Sequence, residues 1–224
     1  MTELRNIKKT YGERTVLDIE SLSLFKGQIT VIVGPNGSGK STLLKILAGV
    51  LENDGEKIIL DGSVRYLPQN SLPFSKSVKN NISYSYTGDK KERQRCCDDI
   101  IERLALTPFK NKNAKSLSGG ECQRLALGRV LINGCEYLLL DEPSSAADIE
   151  GNDIIEAAIE DYRKKHGCCV IMTTHSPAQA KRLADRIIML HEGRIIEDGT
   201  AAELLENPSS EWGKRFMQLW KIEN

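Results

Sequence analysis

The sequence predicts an α/β fold with a mostly parallel central sheet, and three short apolar runs support this prediction. Residues 29–33, 137–140 and 168–173 are continuous apolar runs of the kind found in strands buried on both faces. The first run leads through a glycine-rich segment into residues 41–47, whose apolar positions recur at helical spacing. We therefore expect a strand, a loop and a helix, in that order, between residues 29 and 47.

The other elements are expected in chain order around this core. Strands are predicted at residues 4–8 and 16–24, with a short hairpin at 57–67 that turns at Asp61 and Gly62. Helices are predicted for the charge-rich residues 89–106 and for residues 120–132. Strands at 186–192 and 194–198 form a closing hairpin about Gly193. A length of 224 residues suits a single α/β unit, so we expect one domain spanning residues 1–224.

Composition argues against several functional classes. The 31 Lys and Arg residues balance the 31 Asp and Glu residues, and such a balance is not typical of a protein that binds nucleic acid or anionic membranes. The apolar runs are far shorter than the about 20 residues that a membrane span needs. Because the N-terminal residues also lack the pattern of a secretory signal, we expect a cytoplasmic protein. The six cysteines have no C-x-x-C spacing, so we interpret them as reduced, buried side chains rather than a metal site.

The glycine-rich segment at residues 34–41 predicts a phosphate site. It reads Gly-Pro-Asn-Gly-Ser-Gly-Lys-Ser and matches the pattern G-x-x-x-x-G-K-[ST]. In such a P-loop the backbone N–H groups cradle phosphates, Lys40 reaches the terminal ones and Ser41 offers its hydroxyl to Mg²⁺. The alternative is a turn without a ligand, but the strand before it and the helix after it favour a P-loop NTPase.

Two acids follow the apolar run at residues 137–140. In P-loop NTPases an acid at such a strand end holds Mg²⁺, and a following carboxylate can accept a proton from the attacking water. We therefore assign Asp141 to the metal and Glu142 as the general base. The alternative is a strand that ends in two solvated acids.

Residues 117–121 read Leu-Ser-Gly-Gly-Glu and enter the predicted helix at 120–132. Backbone N–H groups and a serine hydroxyl at a helix entry form a second anion site. With the P-loop and the acid pair, this segment resembles the signature sequence of the ATP-binding cassette (ABC) family, and the resemblance covers the chain from Tyr11 to about Pro208. It implies a P-loop NTPase core with a mostly parallel sheet, a small antiparallel β-lobe and a helical subdomain at approximately residues 70–133.

The resemblance also implies roles for residues that no local pattern assigns. Tyr11 would stack on adenine, Gln69 would join the active site to the helical subdomain, residues 145–148 would form a loop across a dimer seam and His175 would touch the γ-phosphate. Each has a plainer alternative: an exposed aromatic, a polar turn residue, a helix-capping acid at Asp148 and a histidine at a strand end. The predicted catalytic residues are Glu142, His175 and Gln69; the metal ligands are Ser41, Gln69 and Asp141; the nucleotide-binding residues are Tyr11, Gly34, Pro35, Asn36, Gly37, Ser38, Gly39, Lys40, Ser41, Thr42, Ser118, Gly119 and Gly120.

The predicted cofactors are ATP and Mg²⁺, shared between two chains. Lys40, Ser41 and Thr42 of one subunit would bind the nucleotide, and Ser118 and Gly120 of a second subunit would complete the site. This arrangement predicts a homodimer with two competent sites.

By resemblance, the chain is an ATPase subunit of a bacterial importer, peripheral on the inner face of the cell membrane. The expected partners are transmembrane permease subunits and an extracytoplasmic solute-binding protein, with no nucleic acid. Residues 199–208 resemble the ending of importer cassettes, and residues 174–185 resemble cassettes for oxyanions such as tungstate or phosphate. An ABC exporter subunit and a soluble non-transport ABC ATPase remain alternatives. A P-loop kinase has no use for residues 117–121.

Two apolar sets have open roles. Residues 70–86 supply a predicted permease-docking surface whose side chains could equally pack the helical subdomain; they are Leu72, Pro73, Phe74, Val78, Ile82, Tyr84 and Tyr86. Trp212, Phe216, Leu219 and Trp220 recur at helical spacing and predict a short C-terminal helix at approximately residues 209–222. We expect this stripe to pack on the chain's own body rather than on a partner.

Overall fold

A computed structural model describes the backbone of residues 1–223 and the side chains of residues 1–220. The strands are β1 (Thr2–Tyr11), β2 (Arg14–Leu24), β3 (Ile29–Val33), β4 (Val64–Leu67), β5 (Tyr137–Asp141), β6 (Cys169–Thr173), β7 (Arg186–His191) and β8 (Arg194–Thr200). The α-helices are α1 (Lys40–Leu47), α2 (Val78–Ser85), α3 (Arg93–Arg103), α4 (Gly119–Leu131), α5 (Ile149–His166), α6 (Pro177–Leu183), α7 (Ala201–Glu206) and α8 (Glu211–Glu223).

The main sheet has six strands in the order β4-β5-β6-β3-β7-β8, and all neighbours are parallel except β7 and β8. Strands β3, β5 and β6 are buried along their whole length, which is why they appear in the sequence as continuous apolar runs. A second, antiparallel sheet consists of β1 and β2. The predicted mostly parallel sheet and small antiparallel lobe are therefore confirmed.

Apolar side chains fill both faces of the main sheet. On one face, α1 and the inward residues of β1 and β2 form a core that includes Leu17, Leu43 and Leu44. On the other face, helices α2 to α8 contribute to a larger core that includes Ile82, Leu127 and Ile159. Because the helices cover the two faces of the sheet, directly or through one another, the carboxyl ends of the parallel strands stay open for a site.

The predicted hairpin at residues 57–67 is wrong. Only β4 is a strand there, and it pairs in parallel with β5 instead of turning back on residues 57–60. The cause is a local anchor: the backbone N–H and hydroxyl of Ser63 donate to the Glu136 carboxylate, and the Ser63 carbonyl accepts from Glu136 and Tyr137. These bonds pull the segment to the edge of the main sheet.

Other boundaries differ by a few residues. Strand β6 begins at Cys169 rather than at 168, and the helix expected at 89–106 is the shorter α3. Helices α2, α5, α6 and α7 had no prediction of their own. Helices α2, α3 and α4 lie in the range predicted for a helical subdomain, and the division into subdomains stays a prediction. In the part of the chain that the structure describes, no helix is long and apolar enough to cross a membrane.

Candidate active site

The candidate active site lies at the carboxyl ends of four adjacent parallel strands. The P-loop follows β3, while Gln69, Glu142 and His175 follow β4, β5 and β6, respectively. Neighbouring parallel strands end at the same edge of the sheet, so segments far apart in sequence converge there. The order β4-β5-β6-β3 is the reason that these predicted residues meet.

The P-loop joins β3 to α1 through backbone that only glycine adopts easily. Gly34 has φ +153°, and a Cβ there would clash with the Leu190 carbonyl. The loop bends over Lys40, whose Nζ donates to the carbonyls of Gly34 at 2.8 Å and Pro35 at 3.0 Å. Burial lowers the pKa of Lys40, while the charges of Glu142 and Asp141 oppose that shift. The Lys40 ammonium therefore lies inside the loop, within the electrostatic influence of Glu142 and Asp141.

The predicted metal ligands Ser41 and Asp141 are in contact. The Ser41 hydroxyl donates to Asp141 Oδ1 at 3.0 Å, and the Thr173 hydroxyl donates to the same oxygen at 2.8 Å. Asp141 is 3% exposed, so its carboxylate is fixed by these two hydroxyls at the end of β5. Thr173 was not predicted as a site residue; its position at the end of β6, next to β5, is the signal that could have identified it.

Glu142 lies between the other two predicted catalytic residues. Gln69 Nε2 donates to Glu142 Oε2 at 2.9 Å, and His175 Nε2 lies 2.8 Å from Glu142 Oε1. The backbone N–H of Glu142 donates to the Thr173 hydroxyl at 2.9 Å, and the residue has φ +50°, a left-handed conformation that is uncommon outside glycine. The structure thus brings Gln69, Glu142 and His175 together, with each carboxylate oxygen engaged.

The donor set fits magnesium and a phosphate group. A serine hydroxyl beside a carboxylate provides the oxygen ligands that Mg²⁺ prefers, and Gln69 adds an amide oxygen nearby. Ser38 is 3% exposed in the P-loop, and its hydroxyl has no hydrogen-bond partner in the described part of the chain. The Tyr66 hydroxyl faces Asp141, and burial together with the charge of Asp141 and a hydrogen bond to it raises the pKa of Tyr66 to about 12. The unsatisfied Ser38 hydroxyl suits a polar ligand.

The remaining P-loop residues line an open groove. A cavity of about 680 Å³ lies between the loop, the start of β2 and the turn between β7 and β8. It is lined by Pro35, Asn36, Gly37 and Ser38, with Arg14 and His191 among the residues opposite. Gly39, with φ +105°, precedes α1, and Thr42 lies in its first turn. Tyr11 ends β1 with 53% of its surface exposed, with Lys9 Nζ over its ring at 5.7 Å, and it does not line this groove.

The Leu-Ser-Gly-Gly-Glu segment is held at the start of α4. Ser118 caps this helix, its hydroxyl accepting from the N–H of Glu121 while the Glu121 carboxylate accepts from the N–H of Ser118. A Cβ on Gly119 or Gly120 would approach Ala146 at 3.6 or 3.3 Å, respectively. Among the described residues, no hydrogen bond joins residues 117–121 to residues 34–42. Gly119 lines a cavity of about 180 Å³ together with Gln69, Asp141 and Glu142, and no residue of 34–42 is part of that lining.

Gln123 is a site residue that the sequence analysis missed. Its Nε2 donates to the Glu142 carbonyl at 2.9 Å and to the Ser145 hydroxyl at 3.2 Å, and its Oε1 accepts from the N–H of Ala146 at 2.7 Å. One side chain therefore ties α4 to the loop after Glu142. Its place one helical turn beyond Ser118 is the only sequence signal that could have suggested this role. Farther along that loop, Asp148 caps α5 by accepting from Gly151 at 2.8 Å, as the plainer alternative predicts.

The predicted docking surface at residues 70–86 is only partly exposed. Val78 and Ile82 are fully buried in the main core, which corrects their assignment to this surface. Leu72, Phe74 and Tyr84 are exposed, and the rings of Phe74 and Tyr84 meet edge to face at 5.4 Å. We call these three residues the exposed apolar patch.

The C-terminal stripe packs on the chain's own body, as expected. Trp212 and Phe216 pack against the main core, and Trp220 is buried within it. Leu219 is the exception, because it is 50% exposed. Met217, which was not part of the predicted stripe, is 2% exposed and packs in the core instead.

Comparisons with known proteins agree with the fold. A family model described as "ABC transporter" matches residues 17–145. The chain is 41% identical over 203 residues to the tungstate uptake system ATP-binding protein of Peptoclostridium acidaminophilum, covering 86% of this chain and 95% of that protein. It is 34% identical over 229 residues to an sn-glycerol-3-phosphate import ATP-binding protein of Rhizobium johnstonii, and 32% identical over 230 residues to a spermidine/putrescine import ATP-binding protein of Mannheimia succiniciproducens. Each of these two covers 96% of this chain, which spans 62% of each relative.

Solved structures show the same architecture. A dimeric structure of a bacterial ABC transporter cassette superposes with a TM-score of 0.78 at 28% identity, covering 89% of this chain and 98% of that one. An ATP-binding subunit of an ABC transporter gives a TM-score of 0.82 over 99% of this chain and 98% of that one, with 20% identity. These similarities confirm the predicted fold class.

Proposed function

Because this chain belongs to the ABC transporter family and is an ABC-type ATPase, we propose that it is the ATP-hydrolysing subunit of an importer and that its site residues act as their positions suggest. The observation that carries the proposal is the position of Glu142. Its carboxylate lies between Gln69 and His175, one residue after an aspartate that contacts the P-loop serine.

The chemistry follows from which groups can move a proton and which can hold charge. Glu142 Oε1 and Oε2 are the acceptors at the open end of the site, so we assign this carboxylate to accept the proton of the attacking water. His175 and Gln69 would orient that water and the phosphate. Lys40 would exchange its bonds to loop carbonyls for phosphate oxygens. Mg²⁺, held by Ser41 and Asp141, would neutralise charge on the phosphate oxygens.

A second copy of the chain would complete each site. Ser118, Gly119 and Gly120 form a capped helix N-terminus that makes no hydrogen bond to the chain's own P-loop in the described residues, and such a terminus attracts anions. We propose a homodimer in which this helix N-terminus of one subunit meets the P-loop of the other. The similarity to a dimeric cassette supports this arrangement.

Import of an oxyanion is the transport activity that the comparisons favour. The tungstate relative has the highest of the identities given above and matches nearly its full length, whereas the polyamine and glycerol phosphate relatives extend well beyond the matched region. We therefore propose tungstate or a similar oxyanion as the transported solute. Transmembrane permease subunits, a solute-binding protein outside the membrane and a position on the cytoplasmic face follow from this proposal.

The exposed apolar patch is the surface that we assign to the permease. Arg129 lies over the Phe74 ring at 4.3 Å and donates to the Leu72 carbonyl at 3.0 Å, so the patch is rigidly supported although it is exposed. It adjoins Gln69, and a permease segment bound there would be close to Glu142. Exposed aromatic side chains with an arginine beneath them are typical of interface centres.

ATP hydrolysis and dimerisation test the catalytic part of the proposal. Glu142→Gln is expected to lower kcat by roughly 10²- to 10⁴-fold and to accumulate as a dimer with Mg-ATP on light scattering. Lys40→Ala is expected to weaken nucleotide binding instead. Glu102→Gln, an exposed acid on α3, is the matched control and should behave as wild type. A fully active Glu142→Gln protein would refute the base assignment.

The solute needs a separate experiment. The protein, co-purified with its permease and reconstituted in liposomes with the solute-binding protein, should hydrolyse ATP faster when tungstate is present. Phosphate, molybdate and spermidine are the comparison solutes. Stimulation by spermidine alone would replace the oxyanion proposal with a polyamine importer, and recovery of a lone protein without a permease would favour a non-transport ABC ATPase.

A further inference from the structure

The indole of Trp220 binds the backbone of a predicted catalytic residue. Trp220 Nε1 donates to the His175 carbonyl at 2.7 Å, and the side chain that bears this N–H is buried, with 6% of the residue exposed. No other donor in the described part of the chain reaches that carbonyl. On the other side of the same residue, His175 Nε2 lies 2.8 Å from Glu142 Oε1. The C-terminal helix therefore contacts the loop that carries His175 from behind.

Helix α8 presents this tryptophan through a row of stacked rings. His191 lies against Trp212 at 4.3 Å between ring centroids, Trp212 against Phe216 at 5.0 Å, and Phe216 against Trp220 at 5.8 Å. The last three residues are four apart, so their rings lie along one face of the helix. His191 lines the groove beside the P-loop. One helix face thus runs from the groove beside the P-loop to the loop that carries His175.

The start of α8 is fixed to the main sheet. Glu197 on β8 is 7% exposed, and its carboxylate accepts from the backbone N–H groups of Ser209 and Ser210 at 2.7 and 2.9 Å and from both serine hydroxyls. Burial alone would raise the pKa of Glu197, but these four hydrogen bonds outweigh it and hold the pKa below its usual range. A helix anchored at its first turn holds its far end in a defined place.

Apart from the Trp220 bond, the backbone hydrogen bonds of the loop that carries His175 are local. Residues 174–176 connect β6 to α6, and their own hydrogen bonds are local: Ser176 N–H to the Thr174 hydroxyl at 3.0 Å, and Gln179 N–H to the Ser176 hydroxyl at 3.2 Å. The first of these bonds holds the N–H side of the peptide unit after His175, and the Trp220 bond holds its carbonyl side, from a helix outside the loop. The orientation of the imidazole toward Glu142 depends on that peptide unit.

We propose that Trp220 is a positioning residue for ATP hydrolysis: its indole N–H holds the His175 carbonyl so that the imidazole stays against Glu142. The inference rests on the proposed function, because it needs His175 to act in the reaction. It goes beyond that function by giving the C-terminal helix a part in hydrolysis that is independent of nucleotide binding.

Trp220→Phe tests the proposal, because phenylalanine keeps a ring in the stack and removes the N–H donor; it also removes part of the indole, a loss of ring size that the Trp212→Phe control shares. Loss of a single hydrogen bond predicts a roughly 3- to 10-fold fall in kcat with an unchanged KM for ATP. Trp212→Phe is the matched control: its ring also stacks in the row, but no hydrogen bond links it to residues 174–176, so its kcat should stay within about 2-fold of wild type.

A double-mutant comparison separates positioning from general packing. If Trp220 acts through His175, Trp220→Phe should add no further loss of kcat to His175→Ala. An equal fall in both backgrounds, or no fall in the wild-type background, would overturn the inference. A His175→Ala protein with wild-type kcat would overturn the proposed role of His175 instead, so the two failures are distinguishable.

Fluorescence gives a readout that does not depend on turnover. The chain has two tryptophans, so Trp212→Phe leaves Trp220 as the single emitter. Its emission should shift when Mg-ATP binds to a Trp212→Phe, Glu142→Gln protein, because the indole is bonded to the loop beside the nucleotide. The same emission should stay constant when Lys40→Ala is added. An emission that ignores Mg-ATP in the first protein would count against the proposed contact.

Discussion

Arg182→Ala is expected to destabilise the fold because it isolates a buried carboxylate. Glu156 on α5 has a side chain that is 8% exposed, and its oxygens lie 2.6 Å from Arg182 Nε and 2.7 Å from Arg182 Nη2. The only other donor to this carboxylate in the described part of the chain is Gln179 Nε2, at 3.3 Å. Removing the arginine therefore leaves a charge that one long hydrogen bond must satisfy.

The size of the effect follows from burial on the two sides of the pair. Breaking a fully buried ion pair by removing one partner costs about 3–5 kcal/mol. The Arg182 side chain is 50% exposed, so water can reach part of the vacated space, and we expect a loss of about 2–3 kcal/mol. For a chain of this size each 1 kcal/mol lowers Tm by about 2–4 °C, which predicts a fall of roughly 4–12 °C.

Thermal unfolding followed by circular dichroism at pH 7 measures this effect. The double variant Arg182→Ala, Glu156→Gln is the informative control, because it removes the charge together with its partner and should recover most of the lost Tm. Arg182→Lys should fall between, since lysine cannot make both bonds. If Arg182→Ala and the double variant melt at the same temperature, the isolated charge is not the cause and the reasoning fails.

Three further perturbations test other parts of the structure. Gln123→Ala should lower kcat for ATP hydrolysis roughly tenfold without changing KM, because it frees the loop after Glu142. Gln94→Ala, on the exposed face of α3, is the control in the same steady-state assay and should behave as wild type. The depressed pKa of Glu197 stabilises the fold fully above its ordinary value of 4.5, and this stabilisation is lost as pH falls through the folded-state pKa. Urea midpoints of wild type and Glu197→Gln should therefore differ at pH 7 and converge in acid. Tyr162→Phe leaves the buried carbonyl that its hydroxyl reaches at 2.6 Å without that donor, so it should cost about 1–3 kcal/mol in denaturant unfolding.

The part of the site that could be predicted from sequence is the part encoded locally. The P-loop needs glycines at fixed places between a strand and a helix, so its pattern is visible without tertiary structure. Asp141 and Glu142 follow the apolar run at residues 137–140, which identifies both the strand and the end at which we propose the site. Gln69 and His175 came from family resemblance, and the adjacency of β4, β5 and β6 explains why they lie together.

The unpredicted part depends on contacts between segments far apart in sequence. Gln123 acts on a loop 19 to 23 residues away, and Trp220 acts on a carbonyl 45 residues away. Neither distance leaves a local pattern, because each contact depends on how a helix packs on the sheet. The wrong hairpin at 57–67 has the same origin: an Asp-Gly turn favours a hairpin locally, but Glu136, 73 residues beyond Ser63, decides where the strand pairs.

The backbone at Glu142 has a consequence for how this fold is held together. A glutamate at φ +50° costs on the order of 1–2 kcal/mol that glycine would avoid. Two hydrogen bonds must offset that penalty: the Glu142 N–H donates to the Thr173 hydroxyl, and the Glu142 carbonyl accepts from Gln123. A chain selected for durability alone would keep a glycine or asparagine at this position. The protein instead retains a weak point in its scaffold at the carboxylate that we propose as the general base.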